Sequence, residues 1–330
     1  MDHAAVSIGA DALAGVPLFA GLTDDDRAAL AAAMELRCYA DSDALMVQND
    51  RGDGLHIVSS GIVRVGRRLP GGGFADTARL AAGSLVGEMA LVGRGGERHA
   101  TVLADGPVAT LFLPAQAFHA ALAQLRPDSL AMQRALGTEL ASRVLAKTGD
   151  IAATLAALPN SFTPRRAPRQ RCAAAEAGFD PSGFIAKMPF GAALEAQQRA
   201  ALLASGRIQQ VASGARLERS RVWLIARGAL RSDLPLPGGD FQIEVLGPGR
   251  LAGVAMLLAG SATGGALTAT EASLLVGWED ATLRGLLARD DALAMALGAL
   301  INADLVTSLD ALDGVEARMA AMQRAAASEV

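Results

Sequence analysis

Short apolar-rich runs punctuated by Gly, Asn and Asp turns recur along much of the chain, and each predicts a strand. In the first half these are Ala44–Gln48, Leu55–Val58, Ile62–Val65, Phe74–Leu80, Thr101–Leu103 and Val108–Leu113. In the second half Phe241, Ile243 and Val245 alternate with Gln242 and Glu244, the period-two pattern of a half-buried strand, followed by Leu267–Thr270 and Leu274–Trp278. Many short strands separated by Gly, Asn and Asp turns predict a small β-barrel or jelly roll. Elsewhere the spacing lengthens. Met132, Leu136, Leu140, Val144, Ile151 and Leu155 recur as one helical stripe, predicting a long helix behind the first set of strands. A shorter helix is opened by Thr23 and the Asp24–Asp26 run, whose charge suits the positive end of a helix dipole.

The same order occurs twice. Leu69-Pro70-Gly71-Gly72-Gly73-Phe74 returns as Leu236-Pro237-Gly238-Gly239-Asp240-Phe241, a shift of 167 residues. Arg27-Ala28-Ala29-Leu30 returns as Arg199-Ala200-Ala201-Leu202, a shift of 172. Gly83, Leu85, Gly87 and Leu91 return as Gly249, Leu251, Gly253 and Leu257, a shift of 166. Three matches in one order describe two copies of one domain. Between them 158–183 carries Pro159, Pro164, Pro168 and Pro181, which break helices, and the basic cluster Arg165, Arg166, Arg169 and Arg171. The expected division is a first domain at 1–157, a linker at 158–183 and a second domain at 184–330. The linker reads as a solvated tether, with docking of an acidic partner as the alternative.

Composition narrows the class of protein. The 330 residues carry 30 Lys+Arg against 34 Asp+Glu, a net charge of −4, so no broad nucleic-acid footprint is expected. The start lacks the basic and apolar regions of a secretory leader. No uninterrupted apolar run reaches the roughly 18–20 residues of a membrane span. The two cysteines, Cys38 and Cys172, cannot form a disulfide framework and suit a reducing compartment. The expectation is a cytoplasmic protein of two domains.

The segment that carries chemistry is Gly83–Val102. A strand ends at Val86, Gly87 allows close approach to the backbone, and Met89–Val92 can form one helical turn whose free N–H groups face an anion. Ten residues after Glu88, Arg98 supplies a guanidinium fork suited to phosphate oxygens. Glu88 can accept from a sugar hydroxyl. Acceptor, helix start and Arg describe a cradle for a sugar phosphate.

In Gly87-Glu88-Met89-Ala90-Leu91 and Arg98-His99-Ala100-Thr101 the chain resembles the cyclic nucleotide-binding domain family, of which these stretches form the phosphate-binding cassette. Gly52-Asp53-Gly54-Leu55-His56-Ile57-Val58 and Ser60-Gly61-Ile62-Val63-Arg64-Val65 are similar to that family's glycine-punctuated hairpins. The resemblance is strong over Val16–Leu145 and weak over Met188–Asp304. It implies a mainly β fold with flanking α: two β-jelly rolls (double-stranded β-helices), each followed by closing helices. It implies further that Glu88 binds the ribose 2′-hydroxyl and Arg98 the cyclic phosphate, with backbone N–H groups near Met89 and Ala90 completing the phosphate site. The base would lie against apolar strand residues such as Val65. His99 stands where many members carry a small or hydroxyl residue, which leaves adenine against guanine open, with cAMP ahead of cGMP. The expected ligand-binding set is Val65, Gly87, Glu88, Met89, Ala90, Arg98, His99, Ala100 and Thr101, and no cofactor or metal is expected. In the second copy Val254 stands in place of Glu88 and Gly264 in place of Arg98, so that copy is read as a fold without its ligand.

Other signals have plainer readings. Arg51-Gly52-Asp53 reads as a hairpin tip, and Gly93-Arg94-Gly95-Gly96 lacks the strand–helix setting of a dinucleotide loop. The scattered histidines His3, His56, His99 and His119 do not suggest zinc, and His119 reads as a packed or surface residue. No catalytic constellation is present. The tail Leu305–Val330 is too short for a helix-turn-helix, so direct DNA binding is not expected. The reading is a cyclic nucleotide receptor whose output passes through a protein partner or a change of oligomeric state. The alternatives are a ligand-free scaffold, a receptor for another ligand such as a cyclic dinucleotide, and a regulatory subunit of a kinase-like enzyme docked through Arg165–Arg171.

Overall fold

A computed structural model of the chain describes residues 11–68, 74–123, 125–157, 173–174, 181–192, 194–236, 239–260 and 265–328. The glycine turns at 69–73 and 237–238, Cys172, Gly264 and most of the linker at 158–183 lie outside them. The chain divides into two compact units. One takes the residues up to Leu136 and from Asp313 onward, the other Gly137–Leu312.

The first unit opens with α1 (Asp11–Ala14), a 3₁₀ turn at Pro17–Phe19 and α2 (Asp24–Ala32). Thr23 caps α2 as its sequence predicts, the hydroxyl accepting from the Asp26 N–H at 3.2 Å. Strands β1 (Glu35–Tyr39), β2 (Ala44–Met46), β3 (Gly54–Arg68), β4 (Phe74–Ala81) and β5 (Leu85–Val86) follow. Then come α3 (Glu88–Val92), β6 (Thr101–Pro114), α4 (Ala115–Ala123) and α5 (Pro127–Ala157), of which the part up to Leu136 belongs to this unit. The strands are antiparallel in the order β1-β6-β3-β4, with β2 on β6 and β5 on β3. Val58, Val63, Val86, Val102, Ala104 and Val108 form the barrel core, with Val65 and Leu80 packed against it.

Four strands expected here are two. Leu55–Val58 joins Ile62–Val65 in β3, and Thr101–Leu103 joins Val108–Leu113 in β6. Each is one bent strand serving both faces of the roll, with register shifts between Val58 and Ile62. The bend is at Gly61, whose φ of +87° is left-handed and where a Cβ would stand 2.4 Å from the Pro107 carbonyl oxygen.

The second unit contains β7 (Ala173–Ala174), α6 (Ser182–Ile185), α7 (Pro189–Ala192), α8 (Ala196–Ala204) and β8 (Arg207–Val211). These lead into β9 (Arg221–Arg227), β10 (Leu230–Leu236), β11 (Gly239–Leu246), β12 (Leu251–Ala252), α9 (Val254–Ala259), β13 (Ala266–Ala269) and β14 (Ser273–Glu279). Helices α10 (Asp280–Leu287) and α11 (Ala292–Ser328) end the chain. The bent strands of the first copy are here broken in two, which gives separate sheets ordered β11-β10-β13 and β12-β9-β14-β8-β7. Gly228, between β9 and β10, has the same φ of +87° as Gly61. Trp223, Ile225, Leu230, Leu246, Leu267 and Leu275 fill this core.

The alternation expected for Phe241–Val245 does not run through β11. Ser232 pairs with Glu244 and Asp233 with Gln242, so Ile243 is an extra, bulged residue. Beyond the bulge the faces exchange: Val245 is 49% exposed, while the Glu244 side chain is 12% exposed.

The predicted stripe Met132, Leu136, Leu140, Val144, Ile151 and Leu155 is buried along α5. By length and composition α11 also contains a stretch apolar enough to cross a membrane, 18 residues within Ala292–Ala321 with a mean hydropathy of 1.6, although 61% of that stretch is buried.

Candidate functional site

The site is built where β5 ends. Gly87 turns the chain with φ +90° and caps α3, so Glu88 opens the helix and is buried. Arg98 returns ten residues later and is also buried, its side chain 3% exposed. Arg98 Nη1 donates to the Gly87 carbonyl at 2.9 Å and Nη2 donates to Asp53 Oδ1 at 2.7 Å. The space beside Gly87 therefore belongs to the guanidinium: a Cβ there would meet Arg98 Nη1 at 2.5 Å.

Backbone bonds fix the arginine from a second side. Its N–H donates to Asp50 O at 2.8 Å and its carbonyl accepts from Asn49 N–H at 2.9 Å. The Gly52 N–H donates to Gly96 O at 2.8 Å, and Arg51 and Glu97 form an isolated bridge. The Arg51-Gly52-Asp53 stretch, expected to be a hairpin tip, lies against 96–98, and Asp53 is a partner of Arg98 that the expected set does not include. Its signal was its place between two glycines, but its partner lies 45 positions away.

Of the other expected residues, Met89 and Ala90 lie in the first turn of α3, where N–H groups lack intrahelical partners. His99 and Ala100 are half-buried. Thr101 is buried and its hydroxyl accepts from the Gln48 N–H at 3.0 Å, which fixes it against the β2 loop. Val65 sits on the barrel wall opposite Val102, next to the Gly66–Thr101 pair.

Behind the site, His56 is buried at 1% exposure with Nδ1 3.0 Å from the Thr110 hydroxyl and its ring 4.8 Å from that of Phe112. Burial, reinforced by the positive charges of Arg37 and Arg98, lowers its pKa to about 4. His119, on α4, sits at the surface as expected and places Nε2 3.0 Å from the Leu91 carbonyl.

The second copy repeats the backbone of this site. Gly253 has φ +93° and caps α9 as Gly87 caps α3. Val254, in place of Glu88, is buried. Its charged group is instead Arg250, whose Nε donates to Asp304 Oδ1 at 2.6 Å and whose Nη2 donates to Glu244 Oε1 at 2.9 Å and to the Ser308 hydroxyl at 2.8 Å. Burial pushes the Glu244 carboxyl above its usual range, against the pull of Arg250. Val144, Thr148, Glu244, Val254, Leu305 and Ser308 are among the residues around a cavity of about 80 Å³. That is well below the roughly 300–1,000 Å³ of small-molecule sites. Arg250 is thus held at Nε and Nη2 by two carboxylates of its own chain, both largely buried.

The family model for the cyclic nucleotide-binding domain matches residues 36–125. Over 90 residues the chain is 37% identical to the cyclic AMP receptor protein of Thermus thermophilus, covering 27% of this chain and 41% of that one. Over 94 residues it is 36% identical to the cAMP-dependent protein kinase regulatory subunit of Mycosarcoma maydis, covering 28% of this chain and 18% of that one. The chain thus spans less than half the length of either relative. Among solved structures, the regulatory domain of Toxoplasma gondii PKA with cAMP is matched over 88% of this chain and 95% of that one, at 16% identity and a TM-score of 0.35. The chain carries, at residues 36–125, a domain of the cyclic nucleotide-binding domain family.

Proposed function

We propose that this protein is a cyclic nucleotide receptor with one working site, in the first jelly roll, and that its ligand is cAMP ahead of cGMP. The observation that carries the reading is the buried Arg98, oriented by the Gly87 carbonyl and held at its second nitrogen by a carboxylate that is itself exposed. A cyclic phosphate meets there a charge-assisted donor and the first-turn N–H groups of Met89 and Ala90. Glu88 takes the ribose 2′-hydroxyl, and the base lies toward Val65, Ala100 and Thr101, with His99 at the rim. The two named relatives, a cyclic AMP receptor and a cAMP-dependent kinase regulatory subunit, support the choice of cAMP.

The domains divide as 1–157 and 184–330 across the linker, and the second serves contact and stability. We assign the protein no catalytic step, no direct DNA contact and a cytoplasmic place of action. Its output passes to a protein partner or to a second copy of the chain.

A thermal-shift panel of cAMP, cGMP and cyclic dinucleotides tests this. A ligand bound only by the folded state stabilises it by about 2.7 kcal/mol at a hundredfold excess over Kd. The largest rise is expected with cAMP. One observation favours a second reading, a ligand-free scaffold: Arg98 already has an anionic partner in Asp53. No shift with any compound at millimolar concentration supports that reading instead.

A further inference from the structure

We infer that His119 is a positioning residue of the cassette, tying the closing helix α4 to the end of α3, and that Arg284 makes the same tie in the second copy. The inference rests on the reading of α3 as part of the ligand site.

Helix α3 is five residues long, and the carbonyls of its last turn have no N–H four residues on within the helix. The Gly93 N–H takes Met89 O at 2.8 Å. Leu91 O is taken from outside the helix, by His119 Nε2 at 3.0 Å, 28 residues along the chain. A carbonyl only accepts, so Nε2 carries the proton in this bond. In the second copy Arg284, on α10, donates through Nη2 to the carbonyl of Leu257, on α9.

These four residues are two equivalent pairs. Leu91 and Leu257 are related by the shift of 166 that also relates Gly87 to Gly253. His119 and Arg284 are related by a shift of 165, which also relates the strand ends Pro114 and Glu279 and the buried Phe118 and Leu283. The two copies have diverged in both charged cassette residues, yet a side chain at one helix position still reaches the same carbonyl. The contact has outlasted the residue that makes it, which an incidental surface bond does not explain.

The difference between the donors fits the difference between the copies. Arg is always charged and complements the negative end of a short helix, so the second copy has a fixed tie. His119 offers a single ring N–H from an exposed position, a weaker tie in the copy whose helix must answer to a ligand.

The test uses the full chain with His119→Ala and His119→Arg, read by cAMP titration and by ligand-free amide exchange across 88–93. His119→Ala is expected to weaken cAMP by about three- to tenfold. It should also speed exchange across 88–93, while the melting temperature moves by less than about 2 °C. His119→Arg should restore both readouts to within about twofold of the parent protein. Parental exchange and affinity in His119→Ala would overturn the proposal, and so would a His119→Arg variant as impaired as the alanine. If the parent protein takes up no cAMP, the proposed function falls, and the ligand-free exchange still decides whether the tie exists.

Discussion

Arg98 and Asp53 share a 2.7 Å hydrogen bond across a steep gradient of exposure, the arginine side chain 3% accessible and the aspartate 68%. The buried partner is held by backbone on two sides and by the Gly87 carbonyl, so it keeps its orientation without help from Asp53. An incoming phosphate meets Asp53 as a like charge beside its own donor. Asp53→Asn keeps an acceptor for Arg98 and removes that charge. It should tighten cAMP by about two- to fivefold, the size of one exposed charge pair. Arg98→Ala should weaken it by about 2–5 kcal/mol. Calorimetric titration of the two variants checks both, and a weaker Asp53→Asn would assign the carboxylate to positioning.

The second copy should answer differently. Arg250 lies between Glu244 and Asp304, and Asp304 is 2% exposed. Removing the arginine leaves two carboxylates buried without their cation, a loss of about 3–5 kcal/mol for a broken buried pair. Arg250→Met should lower the urea midpoint accordingly while cAMP affinity stays within about twofold. A nucleotide affinity that collapses with Arg250 would place this copy in the binding reaction.

Much of this architecture is legible in the primary structure because it is local. Thr23 announces its helix, the α5 stripe recurs at helical spacing, and Gly87 with Glu88 and Arg98 lies within a dozen residues. What is not legible depends on distant partners or on one inserted residue. The Asp53–Arg98 pair is 45 positions apart and the Arg250–Asp304 pair 54. The bulge at Ile243 exchanges the faces of Glu244 and Val245, and no alternation pattern marks where a strand takes up an extra residue. The union of two expected strands in β3 likewise depends on what opposes Gly61, namely Pro107.

His56 sets an acid limit on the first jelly roll. Its pKa is about 4 in the folded protein against 6.5 in the unfolded chain. The unfolded state therefore binds the extra proton between these values, and stability present above pH 6.5 is lost as pH falls towards 4. At about 1.36 kcal/mol per unit the loss is roughly 2–4 kcal/mol. Glu244 and Asp233, whose carboxyls burial raises, act in the opposite direction, stability falling as pH rises through their window. The comparison of parent and His56→Gln unfolding between pH 4 and 7 isolates the histidine. The variant should show the shallower fall, and equal slopes would contradict the burial argument.

Helix α5 runs from one unit into the other, and a response to occupancy is expected there. Its residues to Leu136 belong to the unit that contains the site, and those from Gly137 to the unit built on the second copy. A ligand shifts such an element only by its differential affinity for two arrangements. Saturating cAMP is expected to change amide exchange within 130–157. Identical exchange with and without ligand would remove the coupling and leave binding intact.

One working site per chain requires that a phosphate take the place of the exposed Asp53 carboxylate on Arg98, while Glu244 and Asp304 keep Arg250. Calorimetric titration of the full chain with cAMP measures this directly through its stoichiometry. One cAMP per chain is the expected result, abolished or greatly weakened in Arg98→Ala. Two per chain, or no heat at millimolar nucleotide, would contradict it.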